Sequence, residues 1–274
     1  MFAAGLLAGC AATNIDSEER VIGIESGAVP ASVDAADLKN GHLLRDTSKS
    51  YVTLSVSQDD SALVARASDR RNRALTSGSG FVVETSGYVL TAAHVGVHSS
   101  NLVTARAADG RIYSGTVLAV LPGNDIALIK LKNFSGPKVR PASVSCLAKG
   151  DEVFSLGKPH SQGDVARLGK VESMHFGRAV RYGKFGYPDA IVLRMNTQKG
   201  ESGGPLFDSG GNLSGMIVST LADGNGKPLN LAHAIPATAL ASFYCKNAAC
   251  PADWQASVWV DPSWSDRRGI AARN

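Results

Sequence analysis

Three short segments of the 274-residue chain carry residue types able to cooperate in nucleophilic catalysis. Leu90-Thr-Ala-Ala-His94 ends an apolar run on an imidazole, Asn124-Asp-Ile-Ala-Leu-Ile-Lys130 opens one on an acid, and Lys199-Gly-Glu-Ser-Gly-Gly-Pro-Leu206 sets a serine among glycines. A serine hydroxyl is a poor nucleophile at neutral pH and needs a base beside it, for which imidazole serves. The imidazole needs one ring nitrogen held as a donor, and a buried carboxylate does this while stabilising the imidazolium formed during attack. His94, Asp125 and Ser202 therefore stand as base, orienting acid and nucleophile. Attack on a carbonyl leaves negative charge on an oxygen, which backbone N–H groups reach only where the chain turns tightly; Gly200, Gly203 and Gly204 around Ser202 permit that turn. Singly, each motif has a structural reading as a strand-end histidine, a turn aspartate or a β-bulge. Their joint presence carries the expectation.

Short strands must position these residues. The chain is 44% hydrophobic, 19% charged and 6% aromatic with 29 glycines, and its apolar runs are short and bounded by Gly, Asn, Asp, Ser and Pro, which predicts an all-β protein and excludes wholesale disorder. Tyr51–Ser57 alternates as a first strand, followed by an arginine-bearing polar loop from Gln58 to Ser77. Gly80–Val83, Tyr88–Leu90, Arg111–Val120 and Ile126–Leu131 complete one set of strands. Asn133–Pro141, with two prolines and a glycine, marks an internal boundary. A second set follows at Glu152–Leu156, Val165–Ser173, Ala190–Met195, Gly204–Phe207, Leu213–Thr220 and Ala232–Ile235. Ala237–Tyr244 reads as a short helix packed on that second unit. The division expected is a signal segment at 1–10, a flexible tether at 11–45, β units at 46–135 and 142–244, and a tail at 245–274 whose order the sequence does not decide.

In the order His94, Asp125, Ser202, the motifs resemble those of the trypsin-like, chymotrypsin-fold serine peptidases. The Deg/Htr branch is the nearest, since Gly78-Ser-Gly-Phe81, Gly87-Tyr-Val-Leu90, Asp125-Ile-Ala-Leu-Ile129, Gly211-Asn-Leu213 and Ala234-Ile-Pro236 also resemble it, over residues 47 to 240. The resemblance implies two six-stranded antiparallel β-barrels with the site in the cleft between them. It implies an endopeptidase that cleaves protein substrates through an acyl-enzyme, without metal or organic cofactor. It makes His94 the general base, Asp125 its orienting acid and Ser202 the nucleophile, with the N–H groups of Gly200 and Ser202 as the oxyanion hole. Asn196 then falls at the floor of the specificity pocket, and being uncharged it gives no strong preference for Lys or Arg substrates. Glu201 departs from the pattern, because the Deg/Htr branch has Asn there and animal trypsins Asp; it either pairs with a basic group such as Lys199 or leaves the loop mobile until a partner arrives. Trimers are common in that branch, and the oligomeric state is left open. Too few residues follow Pro236 for a PDZ module to be expected.

Leu7-Ala8-Gly9-Cys10 resembles a bacterial lipobox, which implies a lipid-bearing Cys10, a membrane anchor and a place in the periplasm or at the outer membrane. Nothing basic precedes Phe2, a departure from such signals. Cys245 and Cys250 bracket a small-residue turn and are expected to form a local disulfide in an oxidising compartment, leaving Cys146 as a small buried hydrophobe. His94 and His98 alone supply too few ligands for zinc, so no metal site is expected. The net charge of +4 and the basic stretch Arg66–Arg73, read as a solvated loop, give no reason to expect nucleic acid. Two other readings remain: a protease-like binding or chaperone module whose oxyanion loop is collapsed, and, more remotely, a serine esterase, since Gly200-Glu-Ser-Gly-Gly204 also matches a nucleophile elbow.

Overall fold

The computed structural model describes residues 21–23, 35–58, 75–141, 147–160 and 163–258. After a short strand β1 (Val21–Gly23) and a helix α1 (Ala35–Ser48) come β2 (Tyr51–Ser57), β3 (Thr76–Glu84), β4 (Tyr88–Thr91), the single turn α2 (Ala93–Gly96), β5 (Leu102–Ala107) and β6 (Ile112–Leu121). A 3-10 turn at Pro122–Asn124 leads into β7 (Ile126–Leu131). The second half contains β8 (Glu152–Gly157), β9 (Val165–Ser173), β10 (Val180–Tyr182), β11 (Phe185–Tyr187) and β12 (Ile191–Arg194). It ends with β13 (Pro205–Asp208), β14 (Leu213–Ala222), β15 (Pro228–Pro236), α3 (Ala237–Asn247) and α4 (Ala252–Val258).

The fold is two closed six-stranded antiparallel barrels. The first runs β2-β3-β4-β7-β6-β5. In the second, β9-β12-β15-β14-β13-β8 closes because β8 pairs with both β13 and β9, while β1 adds to β9 beside that ring. Closing a sheet needs local twist, and register shifts in the β6–β7 and β14–β15 pairs supply it. Val52, Leu54, Phe81, Leu90, Leu128 and Ile129 fill the first barrel, and Val153, Val171, Ile191, Leu193, Leu206 and Ile217 pack together in the second. Between the barrels, the connecting chain is stitched to both: Val139 N–H donates to Val82 O, Leu213 N–H donates to Arg140 O, each at 2.8 Å, and Pro141 bridges Leu213.

The structure departs from the sequence reading at α1 and in its strand set, and it decides the start of the tail, which the sequence leaves open. Within 11–45, read as a tether, the chain is helical from Ala35; the helix has no apolar stripe to betray it, and Leu43 and Leu44 near its end pack on the core. The tail from 245 begins with ordered chain, because Trp254 of α4 is fully buried with its ring 5.4 Å from that of Tyr244. Strand β5 and the separate β10–β11 hairpin were absent from the predicted elements, and the hairpin matters to the site below.

Candidate active site

His94 sits in the first turn after β4, where the chain leaves the barrel at Thr91 and Thr91 Oγ1 donates to Ser79 O at 2.7 Å. Asp125 follows the 3-10 turn in the left-handed region, φ +52°, a conformation that aspartate tolerates better than most side chains. That turn aims its carboxylate back at His94. Asp125 Oδ1 accepts the His94 backbone N–H at 3.0 Å, and His94 Nδ1 lies 2.9 Å from Oδ2. The aspartate is fully buried, whereas the imidazole keeps one edge toward solvent. A third donor, the hydroxyl of Tyr182 on the β10–β11 hairpin, also reaches Asp125 Oδ2.

Ser202 lies on the loop between β12 and β13, against the residues that flank His94. A Cβ added at Gly78 would meet Val95 Cγ2 at 2.7 Å and Ser202 O at 3.0 Å, and one at Gly203 would meet Ala92 N at 3.0 Å. Glycine is thus required for the two barrels to approach this closely. Val218, displaced by the register shift between Ile217 and Ser219 in β14, turns its carbonyl to the Ser202 hydroxyl, which donates to it at 3.4 Å. The hydroxyl is thus turned to Val218 O and not hydrogen-bonded to His94; nucleophile–base contacts of this kind commonly form only as substrate binds.

The loop before Ser202 is held from outside the cleft. His160 N–H donates to Lys199 O at 3.0 Å, Ser79 Oγ donates to Gly200 O at 2.9 Å, and Ser79 N–H donates to Ser202 O at 2.9 Å. In a trans peptide the C=O and N–H point opposite ways. With Lys199 O turned to His160, the Gly200 N–H faces away from that loop, and no acceptor among the described residues takes it or the Ser202 N–H. Gly200 achieves this at φ +101°, open only to glycine.

Glu201 does not pair with Lys199. Its carboxylate turns into the second barrel and meets Arg167 of β9 in a bidentate pair, Nε to Oε1 3.0 Å and Nη2 to Oε1 2.7 Å. Lys199 is exposed. Burial pushes the Glu201 carboxyl above the usual carboxylate range, and the Arg167 guanidinium opposes that shift. Sequence reasoning missed Arg167 and Tyr182, since neither lies near a motif and both contacts are tertiary. Asn196 is half-buried in the segment that leads from β12 to the Ser202 loop. Cys245 and Cys250 form a disulfide at the end of α3, and Cys10 and Cys146 lie outside the described residues. Among the described residues, no group of three or more His, Cys, Asp and Glu side chains is placed to hold a metal ion.

The model of the trypsin-like peptidase domain matches residues 78–216. The chain belongs to the trypsin-like peptidase family. It is 32% identical over 168 residues to the periplasmic serine endoprotease DegP of Salmonella typhimurium, an alignment covering 58% of this chain and 33% of that protein. The chain spans no more than two fifths of the length of the curated relatives it matches. Among solved structures it resembles the Rv3671c protease in its inactive form, with TM-score 0.60 and 25% identity, covering 81% of this chain and all of the other.

Proposed function

We propose that the protein is a serine endopeptidase in which His94, Asp125 and Ser202 act together. His94 Nε2 takes the Ser202 proton as Oγ attacks a peptide carbonyl, Asp125 holds the Nδ1 proton and stabilises the imidazolium, and the amides of Gly200 and Ser202 receive the oxyanion. Collapse passes the proton from His94 to the departing amine and leaves an acyl group on Ser202. Water, deprotonated by the same imidazole, then releases it. The observation carrying this reading is the Lys199 carbonyl tied to His160 N–H, with the Gly200 and Ser202 amides left without an acceptor among the described residues and so available to an oxyanion. A collapsed loop, as the binding-module reading requires, would turn that carbonyl inward instead. Asn196 is assigned to the floor of the substrate pocket, consistent with a preference for uncharged side chains. Periplasmic location accords with the Salmonella relative and with the Cys245–Cys250 disulfide, and a lipid on Cys10 would hold the protein at the membrane. No described helix is long and apolar enough to cross a bilayer.

Unfolded casein is the test substrate. The intact chain should cleave it, and Ser202→Ala should abolish cleavage while leaving the thermal midpoint unchanged. Casein bound but left whole by the wild-type chain would instead support the binding module.

A further inference from the structure

We propose that Tyr182 is a positioning residue for the His94–Asp125 pair, its hydroxyl fixing the Asp125 carboxylate so that the imidazole keeps its Nδ1 proton and its aim at Ser202. This rests on the peptidase reading above. Asp125 is wholly enclosed, so both of its carboxylate oxygens must find donors within the protein. Oδ1 has the His94 amide at 3.0 Å and shares His94 Nδ1 at 3.1 Å; Oδ2 has His94 Nδ1 at 2.9 Å and the Tyr182 hydroxyl. Without the phenol, Oδ2 would lose one donor, and the carboxylate would be free to rotate out of the plane that serves both His94 nitrogens.

The hairpin carrying Tyr182 is built to hold that hydroxyl in place. It pairs with neither barrel, so barrel closure does not depend on it. Its root is Tyr187, buried, whose hydroxyl lies 2.8 Å from Ser219 Oγ on β14 and 2.8 Å from His233 Nδ1 on β15. Below it, the Asp189 carboxylate accepts the N–H groups of Phe176, Gly177 and Ala190 and cinches the excursion shut. At the tip, Lys184 Nζ donates to His98 Nε2 at 2.7 Å, just past the turn that carries His94. Tyr182 also sets its ring edge-on to the imidazole, centroids 5.7 Å apart. Among the described residues, the hydroxyl that reaches Asp125 is that of Tyr182. Burial and the neighbouring Asp125 charge hold the phenol above its ordinary pKa, keeping it a donor.

Tyr182→Phe in the full chain removes only the oxygen. Expected are a kcat lowered about 10- to 100-fold, the scale of one hydrogen bond to a charged group, and a KM changed by less than about two-fold. The downfield proton NMR resonance of His94 Nδ1–H should move or broaden. An unchanged resonance with unchanged kcat overturns the proposal, whether or not the variant melts earlier, because Tyr182 would then serve stability alone. Should the resonance respond in a chain that cleaves nothing, the positioning role stands and the peptidase reading fails.

Discussion

Arg167 and Glu201 form a bidentate ion pair enclosed in the second barrel, with side chains 5% and 1% exposed, one residue before the Ser202 hydroxyl. The pair ties β9 to the loop that carries the nucleophile. Removing one member strands the other in a poorly solvated site, which costs about 3–5 kcal/mol, whereas replacing both by apolar residues of similar volume is often neutral. Arg167→Met should therefore lower unfolding free energy by about that amount and reduce kcat, and adding Glu201→Leu should restore most of the stability. Urea denaturation of the two single variants and the double variant checks this; a single variant within about 0.5 kcal/mol of wild type would show that the pair is not coupled to folding.

Gly200 offers a second handle on the same loop. Its φ of +101° is strained for any L side chain, and a Cβ would run into Lys158 O and within 2.7 Å of the His160 ring. Gly200→Ala should turn the 199–200 peptide and withdraw one oxyanion donor. A fall in kcat of about 100- to 1,000-fold with KM little changed is expected, since that donor acts on the transition state. Steady-state kinetics on a fluorogenic peptide would read it, and a kcat within about three-fold of wild type would remove the Gly200 amide from the assignment.

His233 sets an acid limit on stability. Buried among Phe176 and Tyr187, its pKa is lowered from 6.5 to about 4, chiefly by burial, with the Asp189 charge opposing and Arg178 assisting. The unfolded chain binds a proton there below pH ~6.5 and the folded chain does not, so stability is full above that pH and declines as pH falls toward about 4. The loss reaches up to about 3 kcal/mol from this residue. Urea midpoints at pH 7 and 5 should differ more for wild type than for His233→Gln, and equal differences would refute the assignment.

Much of this arrangement is legible in the sequence, for physical reasons that differ by element. Tyr51–Ser57, Ile126–Leu131 and Val165–Ser173 are strands within those bounds, since apolar runs limited by turn residues leave little latitude. The barrels and the His94–Asp125 contact were readable by another route, through the resemblance of the ordered His94, Asp125 and Ser202 motifs to those of the trypsin-like peptidases. Arg167 was not: its partner is fixed by two strands meeting across a barrel, and Lys199, closer along the chain, is the pairing that local reasoning prefers. Tyr182 was hidden for a related reason. Val180-Arg-Tyr-Gly-Lys-Phe-Gly-Tyr187 has glycines that look like loop, and only tertiary anchoring through Tyr187 and Asp189 makes it a rigid arm.

If the Ser202 hydroxyl is an activated nucleophile, covalent labelling detects it most directly. Treating the intact chain with a fluorophosphonate probe and locating the adduct by peptide mass spectrometry should find it on Ser202, in near-stoichiometric yield, and His94→Ala should abolish it. An unlabelled Ser202 in the wild-type chain, or labelling that persists at the same rate without His94, would contradict the account.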